Sequence, residues 1–387
     1  MRTVCIGGLN ASNIQPVIYQ SEASRPVDGI AVVSAIIAAQ DPEAEARKLL
    51  QMIKSEPPFK VPMANTQESP EAGIGELMMS SLKAVRDRAP LSHNMTNLVV
   101  QNFAANVALA IGASPIMSSY GEEASDLAKL GGALVLNMGT VTPVLLTNYM
   151  QALQAYNLAG RPVVFDPVGV GATAARREAA MKLLSSGYIT ILKGNESEIR
   201  ALESLTSPSS AMTGTQPEQK GVDSSATLSP KEKVELVSTL ARRFRNVVIL
   251  TGKEDFLSDG RRTISVRNGH PAMSLITGTG CALGTVISAF AAASGGADLL
   301  VSCLCAVVYF TLAGEMAAKL SQGPGTFGPA FVDQLFLLKT RTEFGNQWWE
   351  GNAMVRNWTS SEQTAQDLQN FDARWAHEFA NGTWHLP

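Results

Sequence analysis

Short runs of β-branched and other apolar residues alternate with helical segments through the middle of the chain. Four such runs end in glycine, aspartate or asparagine: GALVLNMG (132–139), PVVFDPVGVG (162–171), YITILKGNESE (188–198) and VVILTGKEDF (247–256). Continuous apolar strands separated by helices are typical of a parallel sheet with helices on both faces. The pattern predicts an α/β fold in which ligands bind beyond the carboxyl ends of the strands.

Two apolar segments predict helices of different exposure. Residues 97–112 place apolar side chains at every fourth position and end in Gly112, a common helix stop. The uncharged run 299–314, LLVSCLCAVVYFTLAG, is shorter than the roughly 20 residues that span a bilayer. We therefore expect a helix that is buried on most sides in a soluble protein. Residues 204–221 follow neither period and predict a flexible surface insertion.

The first 54 residues contain two strand–helix pairs. TVCIGGLN and IAVVSAII predict buried strands, while residues 13–20 and the segment DPEAEARKLLQMI predict helices. Two such pairs resemble two steps of an α/β barrel, and alone they are too small to bury their apolar faces. Residues 55–75 contain four prolines and predict a linker.

We assign residues 76–344 to the main domain, and the composition changes beyond it. All five tryptophans lie at position 348 or later, so residues 345–387 are expected to be an extension outside the core fold. The chain has 387 residues, a hydrophobic fraction of 45% and a formal net charge of −3. This balance argues against nucleic acid or an anionic membrane as a partner. Four cysteines without zinc spacing indicate a reducing compartment, so we expect a cytoplasmic protein.

The segment ITGTGCALGT (276–285) is the leading candidate for chemistry. Gly278 and Gly280 let the backbone approach a ligand closely. An apolar helix follows, so the amides of residues 278–281, including Thr279, would point outward from its N-terminus and bind an anion. A tight turn without a ligand is the structural alternative. The lone Cys281 is a candidate nucleophile, a packed thiol or a substitute for another catalytic group.

Carboxylates at strand ends are the second candidate site. Asp166 ends a buried strand, where it can bridge a metal ion or cap a helix. Asn195 and Glu198 are three residues apart at a helix start, which suits a capping box or Mg²⁺ beside phosphates equally well. His93 and several asparagines, including Asn102 and Asn106, crowd one region and predict either a buried polar seam or contact with a polar ligand. Histidine spacing does not favour a zinc site.

The motifs PLSHNMTNLVVQNFAANVALAIGASPIM, FDPVGVGAT, LKGNESEI, ILTGKED, TGTGC and GPGTFGPAFVDQL together resemble hydroxyethylthiazole kinase, a ribokinase-like family, over about residues 76–340. The resemblance implies a three-layer α/β/α sandwich that phosphorylates a thiazole alcohol with ATP and Mg²⁺, as a homotrimer. The leading segment resembles the last two strand–helix units of thiamine phosphate synthase, in the order of fused synthase–kinase enzymes. Most of that barrel has no counterpart here, so synthase activity is not expected.

Family roles carry over to matching positions. The resemblance places Cys281 where related kinases have a base, with Gly278, Thr279 and Gly280 in the anion hole. The remaining implied roles are Mg²⁺ binding by Asp166 and Glu198; ATP contacts from Lys193, Thr251 and Asn195; thiazole contacts from Met117, Gly278 and Asn97; and a relic phosphate site at Gly8, Val33 and Ser34. The helix N-terminus is expected to lower the pKa of Cys281, and ATP to raise it again.

Two other hypotheses remain open. The first is that the chain is a ribokinase-like kinase for another small alcohol, such as a hydroxymethylpyrimidine. The second is that the chain is a silent vitamin-binding or structural subunit. Cys281 and the asparagines weigh against the first. The retention of Asp166, Glu198 and GTGC weighs against the second.

Overall fold

The computed structural model describes residues 2–22, 26–60, 74–207, 228–343 and 352–358. Its strands are β1 (Val4–Ile6), β2 (Gly29–Ala31), β3 (Leu91–Met95), β4 (Ser114–Ile116), β5 (Ala133–Asn137), β6 (Val163–Asp166), β7 (Ile191–Asn195), β8 (Val247–Thr251), β9 (Asp255–Ser258), β10 (Thr263–Val266) and β11 (Val355–Asn357). Its helices are α1 (Ile14–Ser21), α2 (Ser34–Ile37), α3 (Pro42–Lys54), α4 (Ile74–Arg88), α5 (Gln101–Ile111), α6 (Ala124–Leu130), α7 (Pro143–Leu158), α8 (Ala174–Ser186), α9 (Glu196–Thr206), α10 (Pro230–Phe244), α11 (Thr279–Ser294), α12 (Leu299–Ala318) and α13 (Pro324–Glu343).

A nine-stranded sheet forms the centre of the main domain, in the order β11-β10-β9-β8-β7-β6-β5-β3-β4. Strands β3 to β8 are parallel to one another, and β9, β10 and β11 join in antiparallel pairing. The predicted strands at 132–139, 162–171, 188–198 and 247–256 appear as β5 to β8. The expectation of a ribokinase-like α/β sandwich with a mostly parallel sheet is confirmed.

Alternate residues of the strands enter two hydrophobic cores, one on each face of the sheet. Val135 and Val164 pack with helices α4, α5, α11, α12 and α13. Their neighbours Leu134 and Phe165 pack with helices α6 to α10. Because both faces are covered, the strands are apolar at nearly every position, which is why periodicity alone could not separate the two faces.

Helix α12 confirms the expected buried helix. Among the described helices, it is the one long and apolar enough to cross a membrane. Of its most apolar 18-residue stretch, 89% is buried inside the protein. Helix α5 ends at Gly112, which adopts a left-handed conformation with φ 90°, as its sequence predicts. Most of the predicted insertion 204–221 lies outside the described residues.

The N-terminal unit contains the two expected strand–helix pairs, with β1 and β2 parallel. One expectation is wrong: the segment IAVVSAII is not a single buried strand, because β2 ends at Ala31 and residues 34–37 form α2. Strand β1 is not buried either, since Val4 and Ile6 are 55% and 77% exposed, and Val33, which follows β2, is 71% exposed. Among the described residues there is no further barrel strand to cover them.

Aromatic side chains join the N-terminal unit to the main domain. Tyr19 of α1 meets Tyr188 edge to face with ring centroids 5.3 Å apart, and Phe59 stacks on Tyr188 at 4.7 Å. The guanidinium carbon of Arg245 lies 3.9 Å from the centroid of the Tyr19 ring. The same guanidinium donates to the backbone carbonyl oxygen of Tyr19 at 2.6 Å. It also pairs with Glu22. The start of the predicted linker is thus packed through Phe59, and residues 61–73 lie outside the described residues.

Part of the C-terminal segment belongs to the main sheet. Strand β11 pairs antiparallel with β10, and Trp358 Nε1 donates to Ser265 Oγ at 2.9 Å. The Trp358 ring lies 6.2 Å from that of Phe256, between centroids. The expectation that residues 345–387 lie outside the core fold is therefore wrong for residues 352–358. The other four tryptophans lie outside the described residues.

Candidate active site

Polar side chains from the ends of neighbouring strands meet in front of helix α11. Asp166 ends β6, Asn137 ends β5, and Lys193 lies in β7; their exposed fractions are 1%, 0% and 3%. Lys193 Nζ and Asn137 Nδ2 donate to the same Asp166 oxygen, Oδ2, at 3.2 Å and 2.9 Å. Asp166 Oδ1 is buried and has no hydrogen-bond partner among the described residues. The site therefore holds one free carboxylate oxygen in a fixed direction.

Burial and neighbouring charge act against each other in this pair. Burial raises the pKa of Asp166, while Lys193 and Asn137 stabilise its ionised form. For Lys193, burial lowers the pKa, but the charge of Asp166, its hydrogen bond and the other acidic neighbours together outweigh burial, and the net direction is upward. Lys193 therefore stays charged. The net direction for Asp166 is upward, because burial is the largest influence on it; a cation beside Asp166 would offset that burial cost.

Glu198 and Asn195 form a capping box, one of the two arrangements that their spacing allowed. Asn195 Oδ1 accepts from the Glu198 backbone N–H at 3.0 Å, and Glu198 Oε2 accepts from the Asn195 N–H at 2.8 Å. Glu198 Oε1 accepts from the N–H of Gly169 at 2.9 Å. Burial, then the charge of Asp166, raises the pKa of Glu198 to about 7. Glu198 thus links the loop after β6 to the start of α9.

The TGTGC turn approaches its neighbours as closely as its glycines suggested. Gly278 has φ 98°, and a Cβ there would lie 2.6 Å from Val100 Cγ2. A Cβ on Gly280 would lie 3.9 Å from Lys193 Nζ, so the N-terminus of α11 faces the buried ion pair. Thr279 Oγ1 donates to the carbonyl of Met273 at 2.8 Å, which directs its hydroxyl back to the protein. Three groups that favour an anion therefore converge: helix amides, helix dipole and a lysine.

The pKa of Cys281 differs from what its place at a helix N-terminus predicted. Its thiol accepts from Asn97 Nδ2 at 3.4 Å. Burial, followed by the charge of Asp166, raises the pKa of the thiol to about 11. The expected lowering of this pKa is wrong because loss of water around the sulfur, with the charge of Asp166, outweighs the lowering by Lys193, Asn137 and Asn97. Cys281 is a neutral thiol at pH 7.

Two other predicted residues lie near the carboxyl ends of the parallel strands. Thr251 ends β8 opposite Asn195 of β7, and its hydroxyl donates to the Gly194 carbonyl at 3.3 Å. Met117 follows edge strand β4 and packs, partly buried, on the core that also contacts Cys281. These positions place Thr251 and Met117 on opposite sides of the Asp166–Lys193 pair.

The other candidates lie elsewhere. Asn102 and Asn106 bond to each other on an exposed face of α5, so neither lies in a buried seam. His93 is buried between Tyr156 and the Ser118 carbonyl, and burial lowers its pKa. Gly8 and the pair Val33–Ser34 follow the adjacent strands β1 and β2, away from this site in the N-terminal unit.

Sequence reasoning missed two residues that hold the site together. Asn137 bonds to Asp166 and to Asn97. Arg176 donates to the carbonyls of Met138 and Gly139 at 2.8 Å each, and to that of Val168 at 2.7 Å. It therefore joins the loop after β5 to the loop after β6. Asn137 ends a buried apolar strand as Asp166 does, and that signal would have found it. Arg176 carried no such signal.

Comparison with known proteins gives the family. The sequence profile described as "HK: Hydroxyethylthiazole kinase family" matches residues 82–341. The chain belongs to the hydroxyethylthiazole kinase family. A hydroxyethylthiazole kinase of Moorella thermoacetica is 44% identical over 264 residues, which cover 68% of this chain and 94% of that relative.

Two further proteins, a solved structure and a longer relative, are similar to this chain. The solved structure of hydroxyethylthiazole kinase from Pyrococcus horikoshii OT3 aligns with a TM-score of 0.61 and 34% identity, covering 73% of this chain and 99% of that one. A "Probable thiamine biosynthetic bifunctional enzyme" of Schizosaccharomyces pombe is 39% identical over 356 residues. That match covers 90% of this chain but 66% of the relative, so the chain spans about two thirds of the bifunctional enzyme.

Proposed function

We propose that the chain transfers the terminal phosphoryl group of ATP to the hydroxyl of 4-methyl-5-(2-hydroxyethyl)thiazole, a step of thiamine biosynthesis or salvage. The observation that carries the proposal is the meeting of the buried Asp166–Lys193 pair with the amino end of α11, next to Cys281. Phosphoryl transfer needs alignment and charge neutralisation more than covalent help from the protein. A lysine, an anion hole and a fixed carboxylate supply both.

The anion hole receives the phosphoryl group in transfer. The amides of residues 278–281 point outward from the helix, where they stabilise the charge that develops on its oxygens. Lys193 faces the same turn and neutralises part of that charge. Asn195 and Thr251, at the ends of neighbouring strands, lie where the remaining phosphates of ATP would be bound.

Asp166 and Glu198 are the residues that would hold Mg²⁺, mostly through water. Mg²⁺ takes few protein carboxylates and completes its shell with water and phosphate oxygens. The free buried oxygen of Asp166 and the raised pKa of Glu198 both fit a cation. The described residues contain no cluster of three or more possible His, Cys, Asp or Glu ligands, which suits an ion shared with ATP. Bound Mg²⁺ would neutralise phosphate charge.

Cys281 lies where the substrate hydroxyl would approach. Because the thiol is neutral at pH 7, it acts as a hydrogen-bonding and positioning group, and only modestly as a base. No covalent intermediate is required. Asn97 and Gly278 flank the thiol, and with Met117 they would line the thiazole pocket.

A homotrimer with sites between subunits is the assembly we propose. Leu98 and Val99 follow Asn97 directly and are 73% and 67% exposed. Exposed apolar side chains next to a substrate pocket suit coverage by a second copy.

We place the protein in the cytoplasm. In the N-terminal unit, Gly8 and Val33 are both exposed after their strands, and a relic phosphate site at Gly8, Val33 and Ser34 stays a prediction.

The test is direct. The purified chain is incubated with the thiazole alcohol and Mg²⁺-ATP, and thiazole phosphate is followed by mass spectrometry. Hydroxymethylpyrimidine serves as the competing alcohol. We expect product from the thiazole alcohol, a loss of about 100-fold in Cys281→Ala, and retained turnover in Cys281→Asp. Preference for the pyrimidine would favour the other kinase, and ATP binding without either product would favour the silent subunit.

A further inference from the structure

Asn137 lies at the centre of a hydrogen-bond chain that crosses the site. Its Nδ2 donates to Asp166 Oδ2 at 2.9 Å, and its Oδ1 accepts from Asn97 Nδ2 and from the Gly139 N–H, each at 3.0 Å. The side chain has no exposed surface. Both ends of the amide are therefore engaged, and the group cannot rotate without losing bonds on both sides.

On one side, Asn137 determines which oxygen of Asp166 remains free. Lys193 and Asn137 both donate to Oδ2, and Oδ1 is left without a partner. If the Asn137 bond were lost, the carboxylate would be held by Lys193 alone. Rotation about the Cβ–Cγ bond would then be less restricted, and the free oxygen would no longer be held in one direction.

On the other side, Asn137 orients the amide that reaches the thiol. Asn97 Oδ1 accepts from the backbone N–H groups of Val99 and Val100 at 3.2 Å each. One N–H of its Nδ2 faces Asn137 Oδ1, which leaves the other for Cys281 Sγ at 3.4 Å. Asn137 thus fixes the direction in which Asn97 offers a hydrogen to the sulfur.

We propose that Asn137 is a positioning residue that holds the free oxygen of Asp166 and the thiol of Cys281 in one frame, on the two sides of the phosphoryl path. The inference rests on the proposed function and deepens it. Asn137 touches neither ATP nor the alcohol; it acts through the two side chains that would.

The test compares Asn137→Leu with Asn157→Leu. Asn157 is also a buried amide engaged at both ends, since it donates to the Tyr188 carbonyl at 2.9 Å and accepts from the Tyr188 N–H at 2.6 Å. Its partner is a backbone segment that joins no candidate site residue, so it reports the cost of losing a buried amide alone. Asn137→Ser, which is too short to bridge both partners, serves if the leucine variant does not fold.

Two readouts are independent of turnover. The first is the affinity for Mn²⁺, by electron paramagnetic resonance, in the presence of a non-hydrolysable ATP analogue. The second is the rate of Cys281 alkylation by iodoacetamide in a Cys5→Ser background. We expect Asn137→Leu to bind Mn²⁺ about 10- to 100-fold more weakly and to be alkylated roughly tenfold more slowly. Asn157→Leu should match the unaltered protein in both.

Kinetics provide a third readout. The same frame predicts that Asn137→Leu lowers kcat for the thiazole alcohol more than it raises KM. Unchanged Mn²⁺ affinity and alkylation in a folded Asn137 variant, or equal losses in Asn157→Leu, would overturn the inference. A lack of thiazole phosphate from the unaltered chain would instead overturn the proposed function, because the first two readouts do not need the alcohol.

Discussion

Asn97 donates a hydrogen bond to the sulfur of Cys281 over 3.4 Å, from a position 184 residues earlier in the chain. The bond lowers the pKa of the thiol but does not reverse the effect of burial, which leaves that pKa at about 11. The site therefore presents an S–H group, and not a thiolate, to any alcohol that enters.

The reactivity of Cys281 should reveal that raised pKa. In a Cys5→Ser background, the rate of alkylation by iodoacetamide should keep rising up to pH 10, because only the thiolate reacts. The same protein in urea is the control, where the rate should level off above the ordinary cysteine pKa of about 8.5. A plateau below pH 9 in the folded protein would show that the helix N-terminus dominates after all.

Asp255 should make stability depend on pH. Its Oδ1 accepts from the Gly252 N–H at 2.9 Å, and burial raises its pKa to about 7 from the model-peptide value of 3.8. The unfolded chain releases this proton first as the pH rises, so the free energy of unfolding falls between about pH 4 and 7 and the loss then stays constant.

Asp255→Asn removes this loss. Relative to the unaltered protein, we expect the variant to gain on the order of 2–4 kcal/mol between pH 4.5 and 7.5, measured by chemical denaturation. Asp126→Asn is the control with the opposite sign, since a hydrogen bond from Lys129 lowers the pKa of that exposed carboxyl. If the difference in the free energy of unfolding between Asp255→Asn and the unaltered protein did not change with pH, ionisation of the buried Asp255 would not destabilise the fold.

Arg176 should matter for activity although it is not at the reacting centre. Arg176→Lys replaces the planar fork that spans the three carbonyls with a compact ammonium, so the connection between the loops after β5 and β6 is weakened. We expect a loss of about 1–3 kcal/mol in the free energy of unfolding and roughly a tenfold fall in kcat/KM. Arg177→Lys is the matched control, because the Arg177 guanidinium donates to the Gly171 carbonyl at 3.0 Å, within the loop that precedes its own helix. Equal effects in both variants would contradict this role.

Arg245 should hold the N-terminal unit without affecting the kinase site. It has φ 54°, so Arg245→Gly keeps the backbone conformation and removes only the contacts with Tyr19 and Glu22. Hydrogen exchange in residues 14–21 should become at least several-fold faster, with thiazole phosphorylation unchanged. In Arg243→Gly, which lacks contacts to that unit, exchange in residues 14–21 should stay slow. Slow exchange in Arg245→Gly would show that the aromatic cluster suffices.

The sequence predicts the parallel centre of the sheet well, because β5 to β8 are apolar on both faces and end at turn residues. It does not predict β3, where Ser92 and Asn94 interrupt the apolar pattern. Their partners are Ser288 and Thr285 of α11, at 2.6 Å and 2.7 Å between side-chain oxygens, nearly 200 residues away. A polar strand becomes a core strand only when such distant partners are known.

The candidate site shows the same division. Asp166, Lys193 and Glu198 lie at strand and helix ends, where local pattern points to them. The protonation of Cys281 depends on burial by the whole fold, which spacing cannot supply. Likewise, exposed apolar residues in β1 and α2 could not be foreseen from a pattern that assumes a covered strand.

The order in which the strands of the main sheet are synthesised leaves the edge covered by β11 open until late. Strand β11 is the last described strand in the chain, and it covers the free edge of β10, whose residues are made about 90 positions earlier. During synthesis that edge therefore stays open after all other strands of the sheet have left the ribosome. An open edge is a template for pairing with another chain. Edge-to-edge pairing at β10 is thus a hazard until residues 355–358 are added, and Trp358 marks the point at which that edge is covered.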